Sequence, residues 1–304
     1  MKYIYNKRGS SSIIMLFMVT ALIALMSLSV DAGLLYLEKT RLQDTVDSAA
    51  LAAASMFDKG ETEILQEAYK YASLNGVAPE DLTVDISEDH RKVKVSTSKK
   101  VDLYFAKFLS ISDADIKASA TATAGPISST KGIRPFAVEQ QEFIYGETYT
   151  LKKGGGGGNT GNFGAVALGG TGASNYRNNL SNGFNSNPPL KIGDEIETEP
   201  GNMAGPTRDG INDIINSDTN THSEDLSNLE LNCPRLIKIP IVDSLDACGR
   251  STVKIVGFAA FFLDDVVNRG GHTEITGRFV KIIGEGEIDE SAEDYGLFGV
   301  KLVE

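Results

Sequence analysis

Hydrophobic and polar positions divide the first part of the chain into two regions of one predicted helix. Residues 10–30 carry no charged side chain. Their apolar core, residues 13–30, would form about 27 Å of helix, close to the hydrocarbon thickness of a bilayer. Beyond Asp31, helical periodicity continues, and neither Gly33 nor a proline stops it until about residues 58–60. The pattern predicts a transmembrane helix over 13–30 that continues outside the membrane.

The chain after this helix changes between helical and strand periodicity. Residues 61–74 carry an apolar stripe that ends at Asn75-Gly76, and residues 101–109 form a second, shorter amphipathic pattern. Period-two alternation typical of strands occurs at 82–86, 93–97 and 116–124. Residues 31–125 are therefore expected to hold the helix continuation and a small αββαβ module. The Gly-Pro and serine-rich sequence that follows predicts a linker over 126–133.

Residues 134–304 are expected to form a mostly β domain, a sandwich or a barrel. Strand-like runs lie at 143–151, 163–168, 190–196, 236–242, 252–263 and 273–283. Two short helices are predicted between them, at 173–180 and 206–216. Residues 253–262 are almost continuously apolar, as expected for a strand covered on both faces. The predicted fold class is α+β, with a long pilin-like helix before the two modules.

Three spaced elements of the N-terminal helix resemble a known family. They are Arg8-Gly9-Ser10, Val30–Tyr36 and Arg41–Ala54, and together with the apolar run they resemble the N-terminal signature of Flp pilus assembly TadE/TadG-like proteins. A looser resemblance covers residues 161–283. The resemblance implies a bacterial membrane-anchored, pilin-like accessory protein of a Flp (Tad) pilus, structural rather than catalytic. Other pilus or secretion-system subunits would be its partners.

Three fates of the apolar run remain open. A cleaved signal peptide would have a hydrophobic region of about 7–15 residues, and this run is longer. Pilin-type cleavage after Gly9 would be accompanied, in related prepilins, by a glutamate five residues later, where this chain has Ile14. A retained single-span anchor is the favoured interpretation.

Basic residues predict how the span is oriented. Lys2, Lys7 and Arg8 precede it, whereas Asp31 and Glu38 follow it. The positive-inside rule then places the tip, residues 1–12, in the cytoplasm and the bulk of the chain outside the cell membrane. The span itself has the lipid bilayer as its partner. Asp31 is either a helix-end charge among headgroups or a carboxylate that docks another subunit.

An interaction surface is predicted on the helix continuation. Leu35, Leu42, Val46, Ala49 and Ala53 share one side at three-to-four spacing, and the alanines allow close approach of another helix. The alternative is that this face packs on the chain's own α+β module.

Composition and motifs exclude or disfavour several classes of function. The net charge of −12 disfavours nucleic-acid binding, because phosphate backbones would be repelled. No histidine spacing, nucleophile motif or cofactor loop predicts an enzyme or a metal site, although the acidic stretch 218–225 leaves calcium binding open. The second functional hypothesis is a membrane-tethered binding module whose β domain recognises a cell-surface ligand.

The two cysteines, Cys233 and Cys248, suggest a disulfide in an oxidising exterior. If the strands on either side of residues 243–250 form a regular hairpin, the two cysteines lie too far apart to pair. A long folded-back loop would bring them together, so the pairing stays open.

Overall fold

The computed structural model describes residues 8–152, 163–199, 203–222, 226, 229–245, 250–269 and 272–303. The chain folds into two compact units. Unit 1 contains Met1–Thr123 and Leu302–Glu304, and unit 2 contains Ala124–Lys301.

Unit 1 begins with one helix, α1, over Arg8–Ala54. The prediction of a continuous helix is confirmed. Its first part exposes large apolar side chains from Ile13 to Val30, and the helix is long and apolar enough to cross a membrane. The hydroxyl groups of Thr20, Ser27 and Ser29 donate to backbone carbonyls one turn earlier. Because these hydrogen bonds lie within the helix, the polar groups add little cost to burial in lipid.

The rest of unit 1 is a small α+β module. Helix α2 (Glu61–Leu74) buries Ile64, Ala68 and Ala72 on one face, and Glu61 and Glu63 in its first turn complement the helix dipole. Strands β1 (Leu82–Ile86), β2 (Lys92–Asp102) and β3 (Asp113–Thr130) form antiparallel pairs in that order.

Residues 101–109 differ from the amphipathic helix that the sequence predicted. Val101 and Asp102 still belong to β2, where they pair with Ala114 and Asp113. Only Ala106–Leu109 are helical, as a short 3₁₀ turn. Extending the strand satisfies more backbone groups than an early helix would, because β3 already lies opposite these residues.

The predicted linker over 126–133 is wrong for residues 126–130, which form the end of β3. Gly125-Pro126 indicates a turn when only neighbouring residues are considered. In the fold, Pro126 accepts a hydrogen bond from the Asp289 N–H at 3.0 Å, while Ile127 is buried. A strand position that needs only a carbonyl acceptor tolerates proline.

Unit 2 is largely β, as predicted. Its strands are β4 (Phe136–Glu139), β5 (Thr148–Lys152), β6 (Phe163–Ala167), β7 (Leu190–Lys191), β8 (Glu195–Thr198), β9 (Leu236–Val242), β10 (Thr252–Arg269), β11 (His272–Val280), β12 (Ile282–Ile283), β13 (Glu287–Ile288) and the greater part of β14 (Leu297–Val303). Two helices, α3 (Ala173–Asn182) and α4 (Ala204–Ser217), lie between strands.

Five of these strands close into a barrel-like ring. The order is β10-β8-β6-β4-β9, and β9 pairs again with β10. The ring closes because β10 is long: Thr252–Lys254 pair with β8, and the following residues to Phe262 pair with β9. Strands β11 and β5 extend the sheet from the far part of β10.

Strand β10 is buried on both faces, which confirms the interpretation of its apolar run. Ala259, Phe261 and Leu263 belong to one apolar cluster, which includes Leu180 of α3 and Ile211 of α4. The alternating residues Phe258, Ala260 and Phe262 belong to a second cluster, which includes Cys233. The core of unit 2 therefore lies on both sides of this one strand.

Candidate functional site

The predicted interaction face of α1 lies mostly within the core of unit 1. Leu42, Val46, Ala49 and Ala53 are buried, and Leu35 is half-buried. In this region α1 packs on α2 and β2. The structure therefore supports the alternative interpretation for these residues, in which the alanines allow α1 to approach the chain's own module.

The opposite side of α1 remains uncovered beyond the apolar run. Tyr36 is 73% exposed and Leu37 is 55% exposed. They follow Val30, itself 51% exposed, by only two turns of helix. Large exposed apolar residues next to a candidate span can contact lipid or another helix.

Polar side chains of α1 attach the helix to the sheet of unit 1. Glu38 forms an ion pair with Lys99 of β2 at 2.8 Å. The Lys39 ammonium donates to the Lys117 carbonyl, and the Gln43 amide donates to the Ser119 carbonyl at 3.0 Å. The two carbonyl acceptors belong to β3, so the contacts reach two neighbouring strands.

Asp31 lies at the beginning of this attached region and is buried. Its Oδ1 accepts the Tyr104 N–H at 2.9 Å, and its Oδ2 accepts the Phe105 N–H at 3.0 Å and the Ala106 N–H at 2.7 Å. These are the unpaired donors at the start of the 3₁₀ turn, so the carboxylate acts as its cap. Both oxygens are occupied within the chain, which favours a structural role over subunit docking.

A second polar cluster lies in unit 2, between α4 and β9. Asp218 is the C-cap residue of α4, His222 follows it four positions later in an irregular segment, and Cys233 precedes β9. The Asp218 Oδ2 is 2.5 Å from the His222 Nε2 and 3.9 Å from the Cys233 Sγ, and the Sγ is 3.7 Å from the same Nε2. One carboxylate, one imidazole and one thiol thus converge on one point.

Neighbouring groups hold the carboxylate of this cluster. The Asn220 N–H donates to the Asp218 Oδ1 at 3.1 Å, and the Arg235 Nε lies 3.1 Å from Oδ2. Burial acts to raise the pKa of Asp218, but His222, Asn220 and Arg235 together bring it below its ordinary value. Asp218 is therefore a carboxylate at neutral pH.

Cys233 is a free, buried thiol. Burial raises its pKa, and the charge of Asp218 raises it further, against the opposing backbone N–H groups of Arg235 and Leu236. The thiol therefore keeps its proton at neutral pH. Cys248, the partner in the disulfide that the sequence left open, lies outside the described residues.

Sequence reasoning missed this cluster although its three members lie close together along the chain. The spacing of Asp218, His222 and Cys233 resembles no metal motif. The only signal was the acidic stretch from residue 218, considered for calcium. Residues 223–225 of that stretch, and the glycine run 154–158, lie outside the described residues. His90 lies in the turn between β1 and β2, and His272 begins β11.

Residues 9–56 match a family model described as putative Flp pilus-assembly TadE/G-like. The matched segment coincides with α1 and confirms the resemblance seen in the N-terminal signature. It ends before unit 2, so the looser resemblance over 161–283 stays a prediction. No curated protein and no solved structure matches the chain.

Proposed function

We propose that this chain is a membrane-anchored, pilin-like accessory protein of a Flp (Tad) pilus assembly system, with a structural rather than a catalytic role. Its α1 helix anchors the chain in the cell membrane, with the N-terminus in the cytoplasm and the chain beyond residue 30 outside. The match of residues 9–56 to the pilus-assembly family supports the pilus-related part of this proposal.

The division of α1 is the observation that carries the proposal. Residues 13–30 leave their apolar side chains exposed, whereas the same helix further on buries the face of Leu42, Val46, Ala49 and Ala53 in its own module. A soluble protein would gain free energy by covering the first part as well, at about 25 cal/mol per Å² of apolar surface. The open part is the length of a bilayer core.

Contact with pilus subunits is proposed for the exposed side of α1 and not for its buried alanine face. Tyr36 and Leu37 lie just outside the span, at the height where a neighbouring helix in an envelope assembly would continue alongside α1. Small or exposed apolar residues at such a position permit helix association.

Site-specific photo-crosslinking in cells tests this proposal. A photoreactive amino acid in place of Tyr36 should crosslink to another pilus or secretion-system subunit. The same amino acid in place of Val46, which is 0% exposed, is the matched control and should give no intermolecular product. Crosslinks from position 46 but not from position 36 would show that α1 contacts its partner through the alanine face and would contradict the proposed exposed side.

Loss of the whole chain tests the pilus role separately. Cells without it should lose surface pili, counted by electron microscopy, and regain them when the full chain is restored. Normal piliation without the chain would contradict the proposal and favour the tethered binding module.

Topology is tested with an epitope tag after Glu304. Protease treatment of intact cells should remove the tag, because the C-terminus is expected outside. A tag that stays protected, in cells whose other surface proteins are cleaved, would reverse the orientation.

A further inference from the structure

The polar cluster of unit 2 brings together three side chains that metals favour as ligands. Asp218, His222 and Cys233 offer an oxygen, a nitrogen and a sulfur atom that all lie within 4.8 Å of one another. We propose that these three residues bind a divalent transition-metal ion, and that zinc fits them best. This site is independent of the pilus role proposed for α1.

The distances between the donor atoms fit a tetrahedral ion. Zinc bonds of about 2.0–2.3 Å at tetrahedral angles place ligand atoms about 3.3–3.6 Å apart. The Sγ–Nε2 distance of 3.7 Å and the Sγ–Oδ2 distance of 3.9 Å are within a few tenths of an ångström of this range. The Nε2–Oδ2 distance of 2.5 Å is that of a hydrogen bond and must open by about 0.8 Å, which a small rotation of the imidazole provides.

The same geometry argues against a catalytic cysteine. In a nucleophile–histidine–carboxylate relay, the carboxylate holds one ring nitrogen and the nucleophile faces the other. Here the Asp218 Oδ2 and the Cys233 Sγ both approach the His222 Nε2. Convergence on a single nitrogen suits a shared ion and leaves no separate base for the thiol.

The kinds of donor select the metal. A thiolate and an imidazole favour zinc and its neighbours among the transition metals, whereas calcium and magnesium prefer oxygen ligands alone. Binding releases the thiol proton to water and moves the imidazole proton to Nδ1, so that sulfur and Nε2 are free to coordinate. The three donors leave one coordination position for water or a fourth ligand.

Surrounding groups keep the donors in place without the ion. The His222 ring packs edge-on against Phe262, with ring centroids 4.9 Å apart. Asn220 and Arg235 orient the Asp218 carboxylate, as supporting groups of metal ligands do. The His222 side chain is 13% exposed, which leaves the ion a route from solvent. The positive charge of Arg235 lowers the affinity without preventing binding.

Metal titration of the full-length chain in detergent, stripped with a chelator under reducing conditions, tests the proposal. One Zn²⁺ per chain should bind, measured by competition with a chromogenic chelator. Co²⁺ in its place should give a sulfur-to-cobalt charge-transfer band, which reports ligation by the thiolate. A wild-type chain with neither stoichiometric Zn²⁺ nor this band would overturn the proposal.

Two ligand variants and one control assign the site. His222→Gln and Cys233→Ser should each weaken Zn²⁺ binding by at least about tenfold, because each removes one of three ligands. His90→Asn also removes an imidazole but lies in the β1–β2 turn, where the positive φ of 59° suits asparagine, and it should bind as the wild type does.

Fold integrity is followed in the same samples by far-UV circular dichroism. Zn²⁺ should raise the melting temperature of the wild type and of His90→Asn but not of the ligand variants. Wild-type affinity in both ligand variants would show that the ion binds elsewhere and that the cluster is a hydrogen-bonded network alone.

Discussion

Substitution of Ala49 by leucine distinguishes a buried α1 face from one that docks a partner. Ala49 is 0% exposed where α1 packs on α2 and β2. Leucine adds three heavy atoms there, and overpacking of this kind costs about 1–3 kcal/mol. Both residues are strong helix formers, so the helix itself is unaffected. For a domain of roughly 60–100 residues this corresponds to a melting temperature about 4–24 °C lower.

Hydrogen exchange measured by mass spectrometry on the full-length chain reads this effect locally. Ala49→Leu should increase exchange in α2 and β1–β3, while peptides from unit 2 keep their protection. Ala32→Leu is the matched control: it makes the same change at an exposed position of the same helix and should alter stability by less than about 0.5 kcal/mol. Unchanged exchange in unit 1, together with lost crosslinking to a partner, would refute the buried face.

Three further predictions follow from single groups. Asp31→Ala should raise hydrogen exchange in residues 104–106, because their three N–H groups lose their acceptor, whereas unchanged exchange there would show that the cap contributes nothing. Burial lowers the pKa of Lys238 below 10.5, and the positive charge of Arg134 lowers it further, whereas the negative charge of Glu285 acts to raise it. The Lys238 Nζ donates a hydrogen bond to the Thr130 Oγ1 at 3.1 Å. The folded state therefore gives up this proton first as pH rises, and unit 2 gains stability from this residue as pH rises towards 10.5. Lys238→Met should be the more stable variant at neutral pH, and its advantage in denaturant unfolding should shrink under alkaline conditions; a constant or growing advantage would contradict the assignment. N-terminal sequencing of the mature chain should find residues 10–32 retained, whereas a start at Gly33 would identify a signal peptide.

Elements governed by neighbouring residues were predictable from the sequence. The α1 periodicity has no proline or early stop signal, and one continuous helix forms over Arg8–Ala54, a few residues short of the stop expected near residue 58. The apolar run of β10 correctly indicated burial on both faces, although the strand continues past Asp264 and Asp265 to Arg269 with an irregularity at Leu263/Asp265. Pairing with β11 sustains the strand there, and local polarity contains no information about that partner.

Features that depend on distant contacts were not predictable. Residues 126–130 form a strand because Ile127 pairs with Ile288, far along the chain. The predicted interaction face of α1 lies mostly in the core of unit 1, and its three-to-four spacing is the same for a partner and for the chain's own module. The donors of the polar cluster come together only when α4 ends at Ser217 and β9 begins at Leu236. No local spacing encodes that meeting.

The contacts between α1 and the small α+β module of unit 1 fix how the apolar part of α1 is rotated about the helix axis. Asp31 and Leu42 are held on one side of a continuous helix, so every residue before them has a set angle about the helix axis. At roughly 100° per residue, Leu22 lies about 180° and Met26 about 140° around the helix axis from Asp31. The orientation of the span about its own axis is therefore fixed, and the side that carries Leu22 and Met26 faces away from the side that carries Asp31. A neighbouring subunit that packs against the span would therefore always contact the same face of it.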